Sequence, residues 1–192
     1  MSRCGSVTGY HPRMRLVLPV ILCVAASVAI PSSAAAQGGY VGVGLGPGVR
    51  LDDWPNQIVV EQEIGYFVSG EPRGFYIAFA PSQSWGNDWW VLVFPVRLGG
   101  TFDIFHNSDI SVQLGGTGTL GFALSDQYNN GRDPDPWFHL SFALLGRLLL
   151  MNDRFAIYVR PVGFEFGIGD SRCCQDEGVR YVATAGIQYY FF

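Results

Sequence analysis

The chain has 192 residues, of which 48% are hydrophobic, 15% aromatic and 15% charged, and 25 are glycine. So few charges among so many aromatic residues exclude an intrinsically disordered chain, and a formal net charge of −4 provides no basic surface for nucleic acid. The length is that of one domain. The composition therefore predicts a single folded domain with no nucleic-acid partner.

Residues 1–36 have the pattern of a cleaved secretory signal peptide. Arg3, Arg13 and Arg15 supply positive charge, residues 16–30 form an apolar stretch, and three alanines precede residue 37. The apolar stretch is shorter than the ~20 residues that a transmembrane helix needs. We therefore expect a mature chain of residues 37–192 that forms one domain without a membrane-spanning helix.

Beyond residue 36, short runs of alternating apolar and polar residues predict eight β-strands. These runs are 40–50, 58–68, 74–80, 89–103, 110–124, 137–148, 155–168 and 179–192. The alternation is clearest in the fifth run, where Val112 and Leu114 share one face and Gln113 lies on the other. In the run 155–168 the alternation changes phase near Pro161, which predicts a β-bulge there.

The connections between the predicted strands alternate in length. Residues 69–73, 106–109 and 151–154 are short, whereas 51–57, 81–88, 125–136 and 169–178 are longer and more polar. An even number of strands with short turns at one end and longer loops at the other is typical of a membrane barrel. The predicted fold is all-β, an eight-stranded antiparallel up-and-down transmembrane β-barrel, closed because a bilayer admits no open sheet edge.

The two faces of the strands predict which side of this barrel meets lipid. One face carries large aliphatic and aromatic side chains, and the other carries glycine, hydroxyl, amide and charged groups. Because burying an unpaired charge costs several kcal/mol, the polar face is expected to line the lumen. The outward residues include Leu92, Phe94, Val112, Leu114, Leu140 and Phe142, and the inward residues include Arg97, Gln113, Thr117, Ser141 and Arg147.

Aromatic residues cluster at both ends of the predicted strands, as in the interfacial girdles of membrane barrels. The tryptophans lie beside the longer connections: Trp54, Trp85, Trp89, Trp90 and Trp137. At the opposite end lie Tyr66, Phe67, Phe75, Phe102, Phe105, Phe155, Tyr189 and Tyr190. We expect the two groups to mark the two membrane–water interfaces.

The sequence ends in Tyr189-Tyr190-Phe191-Phe192. Together with the strand pattern, this ending resembles the small eight-stranded outer-membrane barrels of Gram-negative bacteria, the OmpA transmembrane-domain and OmpX type. The resemblance covers residues 37–192. It implies a monomer in the bacterial outer membrane, in contact with its lipid and lipopolysaccharide and with both termini in the periplasm. It also implies that Tyr190 and Phe192 match the C-terminal signal recognised by the barrel-insertion machinery.

Charged residues on the inward face predict an ion-pair network in the lumen. An eight-stranded barrel is just wide enough for side chains to fill it. The predicted network contains Glu61, Glu63, Arg97, Asp103, His139, Arg147, Arg160, Glu165 and Arg180. Structural filling of the lumen and a gated path for protons or ions are both compatible with this set.

One short motif indicates an enzyme as an alternative. His139 and Ser141 resemble the His-x-Ser pair of outer-membrane lipid A 3-O-deacylases, in which a glutamate on the next strand completes the site, and Glu165 occupies that position here. Such a group would act as base, nucleophile and orienting carboxylate. The sequence departs from that family at Phe142, where the family has asparagine, and the predicted facing points the pair into the lumen.

Cys173 and Cys174 are the cysteines that remain after the predicted cleavage, and they lie in the last long connection. Export to an oxidising compartment allows a strained vicinal disulfide, and free or intermolecular thiols are the alternative. Acidic residues in the long connections, such as Asp133 and Asp135, indicate a solvated loop more than a cation site. The sequence predicts no metal site and no cofactor.

Three functions follow from this pattern. The first is an integral outer-membrane barrel with a filled lumen and a structural, envelope-integrity or surface-interaction role. The second is a lipid A 3-O-deacylase-like hydrolase that uses His139, Ser141 and Glu165. The third is a secreted soluble barrel that binds a small apolar ligand. The direction in which the large apolar side chains point separates the first function from the third.

Overall fold

A computed structural model of the protein describes residues 38–50, 57–85, 89–127, 135–168 and 178–191. Within these ranges the chain forms nine antiparallel β-strands. They are β1 Gly39–Arg50, β2 Gln57–Phe67, β3 Gly74–Phe79, β4 Ser82–Trp85, β5 Trp89–His106, β6 Ile110–Gln127, β7 Asp135–Leu150, β8 Phe155–Ile168 and β9 Gly178–Phe191. The described ranges contain no helix long and apolar enough to cross a membrane.

The strands form a closed ring. From β5 to β9 each strand pairs with the next one in sequence, and β1 pairs with both β2 and β9, so the sheet has no free edge among the described residues. β3 and β4 both lie between β2 and β5 and together occupy one position in the wall. The nine strands therefore form a ring of eight, which confirms the predicted fold class.

The predicted strand ranges agree with the observed ones except in the third strand. The sequence predicts that this strand ends at residue 80, but the wall continues as β4 after a break at Ala80 and Pro81. Because proline has no N–H to donate, it interrupts the ladder without ending the strand's path. The phase change predicted near Pro161 is confirmed by a register shift in the β8–β9 pairing between Arg160 and Gly163.

Side chains alternate between the outer surface and the lumen, as predicted. On β6, Leu114 is 47% exposed on the outer face, and its neighbour Gln113 is fully buried inside. The same contrast holds on β7 between Phe142, 53% exposed, and Arg147, 2% exposed. Of the other inward residues, Arg97 and Thr117 are buried and Ser141 is half-buried against the lumen cavity.

The girdle prediction is wrong for three aromatic residues. Phe67 and Tyr190 are fully buried in the lumen, where they belong to a cluster with Tyr40 and Tyr76. Trp137 packs inward against the buried cluster of β5 and β6. The alternation of the strand decides the direction of each side chain, whatever its distance from the membrane interface. Other members of the end group are exposed on the outside: Tyr66, Phe75, Phe102, Phe105 and Tyr189.

Inward glycines make room for tyrosine rings in the lumen. The ring of Tyr76 lies directly on Gly99 of the neighbouring strand, and the ring of Tyr40 lies on Gly65 in the same way. A Cβ atom at either glycine would lie well inside van der Waals contact with the ring. The inward glycines and tyrosines therefore fill the barrel as complementary pairs.

The turn between β7 and β8 is built from residues in the left-handed backbone region. Met151, Asn152 and Asp153 have φ angles of 57°, 54° and 64°. This region is unfavourable for residues other than glycine, so the turn needs compensating contacts. The backbone N–H of Arg154 donates to the carbonyl of Met151, and the carboxylate of Asp153 forms an ion pair described below.

Two adjacent glycines on β5 allow a matched test of this packing. We predict that Gly99→Ala lowers the free energy of unfolding by about 1–3 kcal/mol, because the new methyl group displaces the Tyr76 ring. Gly100→Ala is the control, since its Cβ would point outward and lie 3.6 Å from the Phe75 ring, in ordinary contact. Urea unfolding of both variants in lipid vesicles measures the difference. Equal losses would contradict the ring-on-glycine packing.

Candidate functional site

Four charged side chains form the centre of the lumen, and we refer to Glu61, Glu63, Arg97 and Arg160 as the central quartet. Arg97 donates from Nη2 to Glu61 and from Nη1 to Glu63, both at 2.9 Å. Arg160, from the opposite wall, donates to Glu63 Oε2 at 2.7 Å and also to Glu61 Oε1. Each guanidinium thus bridges both carboxylates, and the quartet is neutral.

The strand geometry explains why these four side chains meet. Glu61 and Glu63 are two residues apart on β2 and therefore point to the same face. Tyrosine hydroxyls complete the carboxylate bonding, with Tyr158 donating to Glu61 at 2.7 Å and Tyr40 donating to Glu63 at 2.5 Å. The carboxylates are 5% and 0% exposed as side chains. A fully paired and bonded cluster of this kind tolerates removal from water.

The cavity next to the quartet is small. Its volume is about 30 Å³, and its lining includes Glu61, Arg97, His139, Ser141 and Glu165. A cavity of this size accommodates only one or two water molecules. The space beside the quartet is therefore too small for a solute larger than water.

A second ion pair, which we call the outer pair, lies toward the longer connections. Arg180 donates to Glu165 Oε2 from Nε at 2.7 Å and also from Nη2. The same arginine donates to Ser84 at 3.0 Å and to the side-chain oxygen of Gln57. These bonds connect β9 to β8, β2 and β4 across the lumen.

The residues of the predicted catalytic group lie close together in the wall of the lumen. Ser141 lies opposite Glu165 in the β7–β8 pairing, and both line the cavity with His139. The Glu165 carboxylate is bonded to Arg180, and His139 Nδ1 has no hydrogen-bond partner among the described residues. His139 is 2% exposed. The three side chains thus face the closed lumen rather than the outer surface.

The end of the barrel with short turns is closed by Arg73. Its Nη1 lies 3.0 Å from Asp103, its Nη2 lies 2.9 Å from Asp153, and its Nε lies 3.4 Å from Glu71. In addition, Gln113 Nε2 donates to the carbonyl of residue 72 at 3.0 Å. Sequence reasoning predicted Asp103 but missed Arg73, because the arginine lies in a turn, where the strand alternation gives no facing.

Arg147 lies in the lumen as predicted, but it forms no ion pair with any described residue. Its guanidinium carbon lies 4.7 Å from the centre of the Tyr76 ring, 5.1 Å from Phe67 and 5.9 Å from Tyr40. The prediction that Arg147 joins a network of carboxylates is therefore corrected. Because these aromatic side chains point into the lumen, Arg147 contacts their ring faces where the sequence predicted a carboxylate.

Some predicted residues cannot be compared with the structure. The predicted signal peptide (residues 1–36), Cys173, Cys174 and Phe192 lie outside the described residues. Tyr190 of the predicted C-terminal signal is buried in the lumen, and its hydroxyl donates to Gln188 at 2.7 Å. Within the described ranges, no group of three or more histidine, cysteine or acidic side chains is arranged to hold a metal ion.

The closed ring and its charged interior define a class, the small eight-stranded barrels of outer-membrane type. Neisserial surface protein A has a similar structure, with a TM-score of 0.55, 13% sequence identity, and coverage of 80% of this chain and 96% of that chain. At this identity the likeness shows the fold alone. No family model matches the sequence, and no curated protein matches it.

Two further solved structures are similar over most of the chain. One is the N-terminal β-barrel domain of OprF from Pseudomonas aeruginosa, with 10% identity, a TM-score of 0.47, and coverage of 78% of this chain and 96% of that chain. The other is Ail, the attachment invasion locus protein of Yersinia pestis, with 14% identity, a TM-score of 0.34, and coverage of 79% and 97%.

The difference in burial between two arginines predicts a difference in their contribution to stability. Arg97→Met leaves the two buried glutamates to share one arginine, and we expect a loss of about 3–5 kcal/mol in the free energy of unfolding. Arg73→Met is the control, because Arg73 also has several carboxylate partners but its side chain is 31% exposed. Exposed pairs contribute at most about 1 kcal/mol each. Urea titration of both variants in vesicles measures the two losses, and a larger loss for Arg73→Met would contradict this ranking.

Proposed function

We propose that this chain is an integral barrel of the bacterial outer membrane that acts as an anchor and does not conduct solutes. The observation that carries the proposal is the inverted distribution of polarity. Large apolar side chains cover the outside, while ion pairs fill the inside. The longer connections at one end are then the part presented at the cell surface, for a structural or surface-interaction role.

Water is a poor solvent for the outer surface of this barrel. Exposed side chains on it include Phe75 at 78%, Phe122 at 68% and Leu144 at 60%. Soluble monomers rarely expose apolar patches larger than a few hundred Å². Contact with lipid hydrocarbon removes this cost, and it supports outer-membrane lipid and lipopolysaccharide as the surroundings of the barrel.

The lumen argues against the two alternative functions. A barrel for an apolar ligand needs an apolar cavity, whereas the lumen contains the central quartet and the outer pair. A lipid A deacylase needs its nucleophile within reach of lipid, whereas Ser141 and His139 line the interior. One oxygen of the Glu165 carboxylate, Oε2, is bonded to Arg180 instead.

The localisation is tested by fractionation of bacteria that express the full chain. We expect the protein in the outer-membrane fraction, resistant to extraction by alkaline carbonate and soluble in detergent. Recovery of the mature chain as a soluble periplasmic protein would reject the proposal. As a control, Leu114→Met keeps an apolar side chain at an outward position and should fractionate like the wild type.

We predict that the purified barrel does not form wide pores in planar lipid bilayers. Water-filled channels are found in barrels of about 16–18 strands, and here the lumen is occupied by side chains. We therefore expect no stable conductance steps of the size that a wide porin channel gives. A general porin prepared in the same detergent serves as the positive control, and porin-like steps from this chain would contradict the anchor role.

The outward position of Leu114 predicts a strong effect of charge at that site. An arginine on the lipid face costs about 2–4 kcal/mol at the middle of the membrane and less toward the interfaces. We therefore expect Leu114→Arg to reduce the folded fraction in lipid vesicles, whereas Leu114→Met folds like the wild type. The shift of the folded band in unheated gel samples measures the folded fraction. Equal folding of both variants would show that Leu114 does not contact lipid.

A further inference from the structure

Arg147 is a buried cation whose hydrogen-bonding capacity is unused. It lies on β7, opposite Gln113 of β6, and is 2% exposed. None of its three guanidinium nitrogens has a hydrogen-bond partner among the described residues. Buried polar atoms are nearly always bonded, so such a group indicates a ligand or solvent in contact with it.

The aromatic contacts of Arg147 do not use its N–H groups. The rings of Tyr76, Phe67 and Tyr40 lie 4.7, 5.1 and 5.9 Å from the guanidinium carbon. A cation over a ring face is attracted by the π electrons. This attraction offsets part of the desolvation cost, but it supplies no localised negative charge and no acceptor for the five N–H donors.

The buried glutamates of the lumen are already paired with arginines other than Arg147. The central quartet contains two arginines and two glutamates, and the outer pair contains one of each. Glu63 is the nearest candidate for compensation, but its oxygens already accept bonds from Tyr40, Arg97, Arg160 and Gln188. No carboxylate therefore forms an ion pair with Arg147 among the described residues, and the carboxylates of Asp103 and Asp153, at the same end of the barrel, are paired with Arg73.

Two buried hydroxyls lie in the same layer of the lumen. Tyr76 OH and Thr101 Oγ1 have no hydrogen-bond partner among the described residues, and their residues are 2% and 6% exposed. Both lie on adjacent strands, because Thr101 pairs with residue 74 and Tyr76 pairs with residue 99. Each hydroxyl can donate one hydrogen bond. The remaining unbonded atom nearby, Gln113 Oε1, is an acceptor suited to one of the arginine N–H groups.

We propose that Arg147, Tyr76 and Thr101 bind a monatomic anion of the chloride class inside the lumen. An anion supplies both properties that the site lacks, acceptors for the N–H and O–H donors and one negative charge. Water supplies only the first. Three ring centres lie between 4.7 and 5.9 Å from the guanidinium carbon, and a monatomic anion is the smallest ligand that supplies a full negative charge.

The first experiment locates the anion by crystallography. The protein is refolded from urea into detergent in sodium bromide and crystallised, so that bromide can enter before the lumen closes. We expect an anomalous bromine peak in contact with the Arg147 guanidinium. Ordered water at that position without an anomalous peak, or peaks confined to other places, would overturn the proposal. This measurement does not depend on any variant folding.

The second experiment measures linkage between chloride and stability. Urea unfolding is followed in mixtures of sodium chloride and sodium gluconate at constant ionic strength, which holds general screening fixed. Binding of one chloride lowers the unfolding equilibrium constant by about tenfold for each tenfold rise in chloride above the dissociation constant. An unfolding constant independent of chloride would overturn the proposal.

Two variants separate this site from other effects of chloride. Arg147→Met keeps an unbranched side chain of similar length but removes the charge, and we expect it to lose the chloride dependence. Arg154→Met is the matched control, because Arg154 is exposed in the β7–β8 turn and should retain the dependence. Retention of the full dependence in Arg147→Met, or its loss only in Arg154→Met, would place the effect elsewhere and reject the site.

Discussion

The structure depends on neutralising charge inside a ring of strands whose outside is apolar. The ring is too narrow for a water-filled interior, so the charge of inward side chains must be compensated within the lumen. The central quartet meets this requirement because each guanidinium reaches both glutamates and two tyrosine hydroxyls complete the bonding. The cost of removing these charges from water is large, and only such complete pairing offsets it. The same pairing joins β2, β5 and β8, which are not all neighbours, and so it connects opposite walls of the barrel.

Pairs of glycine and tyrosine fill the volume of the lumen, just as the ion pairs neutralise its charge. Large rings fit into so narrow a barrel only where the neighbouring strand has no side chain beneath them. The rings of Tyr40 and Tyr76 lie on Gly65 and Gly99, and the two tyrosines, with Phe67, form an aromatic layer. That layer lies between the central quartet and the short turns closed by Arg73. The glycine content, which in another sequence would indicate flexibility, here allows dense packing.

The sequence predicted the fold because period-two alternation is a local property that survives in the closed ring. Strand positions, facing and the bulge near Pro161 follow from it, and so does the inward direction of Glu61 and Arg97. What the alternation cannot provide is the distance that a side chain covers across the lumen. It therefore predicted that Arg147 would meet a carboxylate, when the opposite wall presents the ring of Tyr76 instead. It also gave no facing for Arg73, since turns have no fixed period.

The use of arginine for every basic group is chemically consistent with this interior. A guanidinium is planar and has five donors, so Arg97 and Arg160 can each bridge two carboxylates, whereas an ammonium is a point charge with a stronger hydration shell. Guanidinium planes also stack on aromatic rings, which is the environment of Arg147. Arginine thus occurs in two surroundings in this lumen, one formed by glutamates and the other by aromatic rings. Where the wall presents glutamates, the charge is neutralised directly. Where it presents rings, the N–H edge remains available, and an anion-binding site follows from the same geometry that elsewhere produces an ion pair.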